Sequence, residues 1–236
     1  MKIIIASDSY KGSLSTLEVA NSIEKGIRKI YEDAEIIKIP VADGGEGTLD
    51  TLVLGTGGIY EEVKVLGPLG NNILAKYGIL DGNIAVVEVA EASGLTLMAE
   101  EELNPLITTS YGTGELVKAA IDKGMRKIYV GLGGSGTNDG GVGMAQALGV
   151  SFKDHLGNEL GFGGGELNKI HIIDSSNVHP SLKDTEIILI SDVQNSLCGP
   201  NGASYIFGPQ KGATIEMVKL LDENLKHFGL KVKEFT

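Results

Sequence analysis

Residues 2–18, KIIIASDSYKGSLSTLE, decide the fold class. Lys2–Ala6 is a short Ile-rich run of the kind that forms a buried strand, and it stops at the polar Ser7-Asp8-Ser9. Ser15 stands three residues before Glu18, the spacing of a capping box, in which each residue satisfies an orphan N–H at a helix start. Leu17, Ala20, Ile23, Ile27 and Ile30 then recur at helical spacing. A second apolar run, Glu35–Ile39, reads as another strand, and Gly47–Leu54 as a short helix behind a glycine-rich turn. The order β-α-β-α predicts a parallel sheet, because parallel neighbours need a helical crossover between them.

Downstream the pattern changes. Tyr60–Leu66, Ile73–Leu80 and Ile84–Ala90 are β-rich runs at short spacing, and Asp81-Gly82-Asn83 between the last two is a hairpin signal. A domain change is expected near Gly67-Pro68, dividing the chain into residues 1–66 and 67–236. Helical patterns return at Glu91–Met98, Thr113–Lys123 and Asp139–Leu148, with strands at Lys127–Val130 and Glu186–Ser191. Thr214 caps a last helix through about Lys226, with Met217, Leu220, Leu221 and Leu225 on its apolar face. The closing KVKEFT reads as the start of a further strand.

Bulk properties narrow the possible partners. Twenty Lys and Arg against 31 Asp and Glu leave a net charge of −11, which argues against nucleic acid or an anionic membrane, since both demand a basic face. A local phosphate site remains open, because a helix N-terminus or a metal ion can hold an anion without bulk positive charge. The single cysteine, Cys198, allows no internal disulfide and fits a reducing compartment. The N-terminus lacks the features of a signal peptide, and no apolar stretch reaches the ~18 residues of a membrane helix. A cytoplasmic protein is expected.

The 34 glycines cluster where chemistry is expected. Clustered glycine inside a core-forming chain marks backbone that must turn tightly or approach a ligand closely. Four segments stand at predicted strand ends or helix starts, where open α/β sheets put their ligands. The first, Ser7–Ser13, offers Asp8, Lys11 and several hydroxyls but is not a Walker A loop. The second, Ala42–Thr48, brackets two glycines with Asp43 and Glu46, a pattern for helix capping or for metal or substrate-hydroxyl binding. The third and strongest, GLGGSGTNDGG at 131–141, follows a strand and opens a helix, so its backbone N–H groups make an anion cradle. The fourth runs from Ser191-Asp192 through a loop of about twenty residues to Lys211, a length unusual without a function. Asp192 is a candidate general base or Mg2+ ligand. Thr108–Glu115 could bind an anion or cap a helix, the four histidines lack metal spacing, and Cys198 reads as a plain thiol. Gly131, Gly133 and Gly136 also satisfy G-x-G-x-x-G, with Asp154 where a dinucleotide fold puts its ribose carboxylate.

Carboxylates, lysines and a glycine cradle suit phosphoryl transfer, which needs positioning and charge neutralisation more than covalent chemistry. Six blocks in order, SDSYKGSLS, PVADGGEGT, EVAEASGL, TTSYGTGEL, GLGGSGTNDGGVGMAQALG and SDVQNSLCGPNGASYIFGPQKGA, resemble the type I glycerate kinases over residues 7–213. Gly136, Gln194 and Ser196 depart from the family's usual residues.

The resemblance implies ATP-dependent phosphorylation of D-glycerate, most often to 2-phosphoglycerate, with ATP and Mg2+. It implies a flavodoxin-like parallel-sheet domain built from both chain ends, here incomplete, and an inserted mixed α/β domain whose last residues return to the first. On this chain the segments predict Asp192, Lys11 and Asp8 as catalytic. Gly133, Gly134, Ser135, Thr137 and Lys211 would bind nucleotide phosphate, Asp43, Glu46, Asn138 and Asn195 the substrate, and Asp139 a metal. The family normally continues for roughly another third, so a poorly active fragment, with a homo-oligomer or a separate C-terminal fragment as partner, is expected. Two readings of another class remain: a dinucleotide oxidoreductase using Gly131–Gly136, and a binding fragment without turnover.

Overall fold

A computed structural model describes residues 1–10, 13–42, 44, 45 and 47–235. The chain opens as β1 (Lys2–Ser7), α1 (Thr16–Arg28), β2 (Glu35–Pro40) and α2 (Thr48–Thr56). The expected capping box forms at α1: Ser15 Oγ accepts from Glu18 N, and Ser15 N donates to Glu18 Oε2 at 2.8 Å. β1 and β2 pair in parallel, as the crossover predicts, from Lys2↔Glu35 to Ser7↔Pro40. Val19 and Ala20 of α1 are buried with Ile5 of β1, while Ile4 and Ile39, on the opposite face of this sheet, are about half exposed (58% and 47%). Among the described residues these two strands pair only with each other.

β3 (Ile59–Leu66), β4 (Asn72–Leu80) and β5 (Ile84–Glu88) follow, then α3 (Val89–Ser93), α4 (Tyr111–Asp122) and β6 (Lys127–Gly131). After these come α5 (Val142–Ala147), β7 (Ser151–Lys153), β8 (Ile172–Asp174), β9 (Glu186–Ile190), α6 (Ala203–Phe207) and α7 (Ile215–Phe235). The main sheet has the order β3-β4-β5-β6-β9, antiparallel at β3-β4-β5 and parallel at β5-β6-β9. The protein is thus α/β with a mixed sheet. β3 pairs with β4 along its length, from Ile59↔Ile79 to Leu66↔Asn72, so the Gly67 turn joins two strands of one sheet.

Alternation along β5 places the core. Ala85 and Val87 pack with Leu116, Ala120 and Ile121 of α4, and Val86 packs on the other face with Leu49 and Val53 of α2. Helices therefore cover both faces, and the short parallel strands read as near-continuous apolar runs for that reason. A second cluster joins Phe152, Leu160, Leu167 and Ile170 to Leu225 of α7.

Four segments differ from their sequence reading. The chain leaves β5 at Glu88 and turns helical at Val89, although VEVA continues the apolar run. α5 starts at Val142, because Gly140 and Gly141 take φ of 63° and 79°, outside the helical region. The loop expected over 191–212 contains α6 and a short 3-10 turn at Pro209–Lys211. The expected terminal strand is instead the end of α7: Phe228 packs against Phe152, Lys231 pairs with Glu234 one turn on, and tertiary packing carries the helix past Gly229.

Candidate active site

The site is set by where the parallel strands end. Glu88, Gly131 and Ile190 lie side by side in register at the ends of β5, β6 and β9. The chain beyond each edge bends over this end of the sheet. Leu132 N donates to Ile190 O at 3.1 Å, and Gly133 N donates to Gly44 O at 3.0 Å, which brings the segment after β2 onto the segment after β6. Only glycine permits this approach, since a Cβ on Gly133 would lie 2.3 Å from Gly45 Cα.

The Gly131–Gly141 segment is pinned on two sides. Gly136 N donates to Ser93 O at 2.8 Å, Leu95 N to Gly134 O at 2.9 Å, and Thr108 Oγ1 to Gly136 O at 2.9 Å. Asp139 is 2% exposed and accepts four hydrogen bonds. Ser110 N and Ser110 Oγ donate to its Oδ2 at 2.8 Å each, Gly143 N to Oδ2 at 3.3 Å, and Gly141 N to Oδ1 at 3.1 Å. The carboxylate sits at the start of α5, where the helix dipole favours negative charge. Asn138 Nδ2 donates to Ser204 Oγ at 3.1 Å, tying the segment to α6. The Thr108–Glu115 segment, read as an anion site or a cap, braces the cradle through Thr108 and Ser110.

Lys211 completes the cradle. Its Nζ, buried beneath the loop, donates to Ser135 Oγ at 3.0 Å and to Thr137 O at 2.6 Å. Burial pushes its pKa down to about 8, against the opposing pull of the Asp139 charge. Gly133 and Gly136 have spent their N–H groups on Gly44 and Ser93, so an anion above the loop would meet the amides of Gly134 and Ser135.

A cavity of about 320 Å³ opens over this surface, lined by Gly44, Gly45, Gly133, Gly134, Ser135, Asp192 and Lys211. Five of the expected site residues, Gly133, Gly134, Ser135, Asp192 and Lys211, thus meet at one place. Thr137, Asn138 and Asp139 line an adjoining, mainly apolar cavity that shares Ser135 and Lys211 and is walled by Leu132, Val193 and Phe207. Asp8 lies past the end of β1, its Oδ1 accepting from Ser9 N at 2.6 Å. Asn195 Nδ2 donates to Asn201 O at 3.0 Å and shapes the loop leading to α6. Lys11, Asp43 and Glu46 lie outside the described residues.

A further cavity of about 310 Å³ lies beside Gly47, lined by Ser9, Ser13, Ser15, Asp50, Glu88 and Glu91. Glu88 was not singled out from the sequence, although an acid closing an apolar strand is itself a signal. It is 3% exposed. Desolvation raises its pKa to about 7, opposed by the N–H groups of Leu49 and Gly47 and reinforced by the charges of Glu91 and Asp50. Asp154 sits in the turn between β7 and β8, accepting from the amides of Leu156 and Asn158, and lines a different cavity with His155, His171 and His227. Its role as a ribose carboxylate beside Gly131–Gly136 is not supported by that placement.

Residues 3–236 match the family model described as the glycerate kinase family. The chain belongs to the glycerate kinase family. It is 53% identical over 235 residues to a glycerate 2-kinase of Escherichia coli K12, covering 99% of this chain and 62% of the relative. It is 51% identical over 230 residues to a Bacillus subtilis glycerate kinase, covering 97% and 60%. A crystal structure of a Salmonella typhimurium LT2 protein taken to be a glycerate kinase 2 superposes with a TM-score of 0.87 at 48% identity, covering 99% of this chain and 63% of that one. The chain therefore spans about three-fifths of the length of these relatives.

Proposed function

We propose that this chain carries the phosphoryl-donor site of a kinase that phosphorylates D-glycerate from ATP, with 2-phosphoglycerate as product. The observation that carries the reading is the meeting of the glycine cradle, Lys211 and Asp192 in one cavity at the ends of parallel strands. The naming of the E. coli relative as a glycerate 2-kinase supports the product.

In this reading the amides of Gly134 and Ser135 and the ammonium of Lys211 receive the donor's phosphates. Asp192 accepts the proton of the glycerate hydroxyl as the oxygen attacks, general-base work that phosphoryl transfer requires of only one carboxylate. Asn138 and Asp139 set the loop's shape. Lys11, Asp8, Asp43, Glu46 and Asn195 remain proposed substrate contacts. The residues fit Mg2+ in a limited way. Among the described residues no three His, Cys, Asp or Glu side chains gather as a metal cluster, and Asp139 already accepts four hydrogen bonds, three at Oδ2 and one at Oδ1. Magnesium commonly binds through one or two carboxylates and the substrate's phosphates, and Asp192 is the side chain that would complete such a set. When bound, the ion would neutralise charge on the transferred group.

The two-domain division also stands as a proposal. Because β3 is paired along its length with β4, the boundary belongs before β3 rather than at Gly67. The half-exposed Ile4 and Ile39 favour a second reading, in which full activity needs further polypeptide over the β1-β2 face, supplied in cis, by a second copy or by a separate fragment. Cytoplasmic residence rests on the lone cysteine. Among the described residues no helix is long and apolar enough to cross a membrane.

The test is a 31P NMR assay of the 236-residue chain with D-glycerate, ATP and Mg2+. Appearance of the 2-phosphoglycerate resonance supports the reading. ATP binding without product supports the need for a cover, and absence of ATP binding refutes the donor site.

A further inference from the structure

Glu88 joins two parts of the molecule that the site needs at fixed distance. It is the last residue of β5, and its backbone pairs with Gly131, where the cradle begins. Its carboxylate reaches to α2: Oε1 accepts from Gly47 N at 3.1 Å, and Oε2 from Leu49 N at 3.1 Å. Between Gly47 and Leu49, Thr48 donates to Gly45 O through its N at 3.2 Å and its Oγ1 at 2.8 Å, and the neighbouring Gly44 O accepts from Gly133 N at 3.0 Å. Gly44 lies close against β9, where a Cβ would come to 2.7 Å from Ile190 O, so only glycine fits there. One carboxylate thus holds the helix start whose Thr48 is bonded to the Gly44-Gly45 pair lying on the cradle.

We propose that Glu88, in its ionised form, is a positioning residue for phosphoryl transfer, holding the start of α2 and, through the Thr48 bonds to Gly45 O, the Gly44-Gly45 pair against the Gly133–Ser135 cradle. The proposal rests on the kinase reading for its consequence but not for its geometry. Both carboxylate oxygens act as acceptors toward N–H groups at a helix start, where negative charge is favoured. Protonation removes the negative charge and makes one oxygen a hydroxyl, a poorer acceptor, so the bond from the N–H facing it weakens. The described charged groups around it are Asp50 of α2 and Glu91 of α3, which oppose its ionisation, and Lys76 of β4, which is ion-paired to both of them. Its raised pKa, about 7, places the change near neutral pH.

A buried carboxylate of this kind works against stability. A pKa raised in the folded state means that stability present below the unfolded value of 4.5 is lost as pH rises toward about 7. A plain helix cap would act in the other sense, stabilising when ionised.

Amide exchange by 1H–15N NMR on the full chain tests this, comparing wild type with Glu88→Gln and Glu88→Asp. In wild type, protection of Gly47, Leu49 and Gly133, corrected for intrinsic rate, should rise about five- to tenfold from pH 6 to pH 8, the effect of about one hydrogen bond. Glu88→Gln should hold the low value at both pH values, and Glu88→Asp, which keeps the charge, should recover part of the rise. Circular dichroism establishes that each variant is folded. A response confined to Gly47 and Leu49, with Gly133 unmoved, overturns the proposal, as does a pH-dependent rise at Gly133 that persists in Glu88→Gln. Binding of AMP-PNP is followed in the same samples. Its absence in wild type at every pH would count against the kinase reading, while the Gly133 response would still decide the clamp.

Discussion

Lys211 donates to Ser135 Oγ across 3.0 Å, so the last residue of the 3-10 turn after α6 anchors the middle of the glycine cradle 76 positions earlier in the chain. Because the ammonium also donates to Thr137 O, two of its three N–H groups shape the loop, which leaves one for an anion. The buried charge thus both orders the cradle and supplies its positive potential.

Charge at Lys211 should control donor binding. With a pKa near 8, affinity for AMP-PNP should fall as pH rises through that value, because the site loses its cation. Stability should move the other way. The folded pKa lies below the unfolded 10.5, so the cost of holding the charged form, about 3 kcal/mol, is relieved as pH rises from 8 to 10.5. Lys211→Met should bind AMP-PNP at least about tenfold more weakly, with no pH dependence near 8, and should be no less stable at pH 7 than wild type. Calorimetric titration and urea unfolding at several pH values check both halves.

Close packing at Gly133 gives a sharper steric prediction. Gly133→Ala drives a Cβ to 2.3 Å from Gly45 Cα, a backbone atom that cannot swing aside. Destabilisation of about 1–3 kcal/mol is expected, together with loss of AMP-PNP binding as the 44–45 segment is pushed away. Gly26→Ala is the control. It lies inside α1 with nothing within 4 Å of the added carbon, and it should stabilise by about 0.5–1 kcal/mol. Thermal unfolding of both variants decides whether close approach or backbone entropy sets the cost of each glycine.

Much of this architecture was legible where sequence signals are local. The Ser15–Glu18 capping box, the Asp81–Asn83 hairpin and the strand-to-cradle step at Gly131 each depend on a few adjacent residues, and each is present. The meeting of Gly133, Asp192 and Lys211 was legible as separate strand-end segments, since parallel strands collect their C-terminal loops at one edge. What could not be read were the partners of polar side chains distant in sequence. Asp139 is expected from the sequence to hold a metal, and only the fold reveals its protein partners, Ser110 and the start of α5. Glu88 offered only the cue of an acid ending an apolar strand, and its partner on α2 lies 39 positions away. At the C-terminus the misread strand reflects packing of Phe228 on Phe152, which outweighs the low helix propensity of Gly229 and Val232.

Asp139 should therefore behave as a brace. Asp139→Asn replaces an acceptor oxygen by an NH2 group that faces N–H donors, leaving buried donors unpaired, and should cost at least about 2 kcal/mol in urea unfolding. The loss should be the same with or without Mg2+. If Asp139 instead held the cation, the variant would unfold like wild type in metal-free buffer and differ only when Mg2+ and AMP-PNP are both present.

Asp192 lies at the opposite extreme, exposed on the cavity wall just past β9, so its replacement should leave the fold intact. Asp192→Asn should shift stability by less than about 0.5 kcal/mol, as surface substitutions usually do. If the carboxylate accepts the hydroxyl proton, kcat for glycerate phosphorylation should fall by at least about 10²-fold while KM for ATP holds. Mn2+ relaxation in the presence of AMP-PNP separates the two roles open to this side chain. Unchanged Mn2+ affinity with depressed kcat marks Asp192 as the base, and an equal loss in both reassigns it to the cation. Wild-type kcat in the variant would remove Asp192 from the chemistry and shift the search for the base to the carboxylates around Gly47.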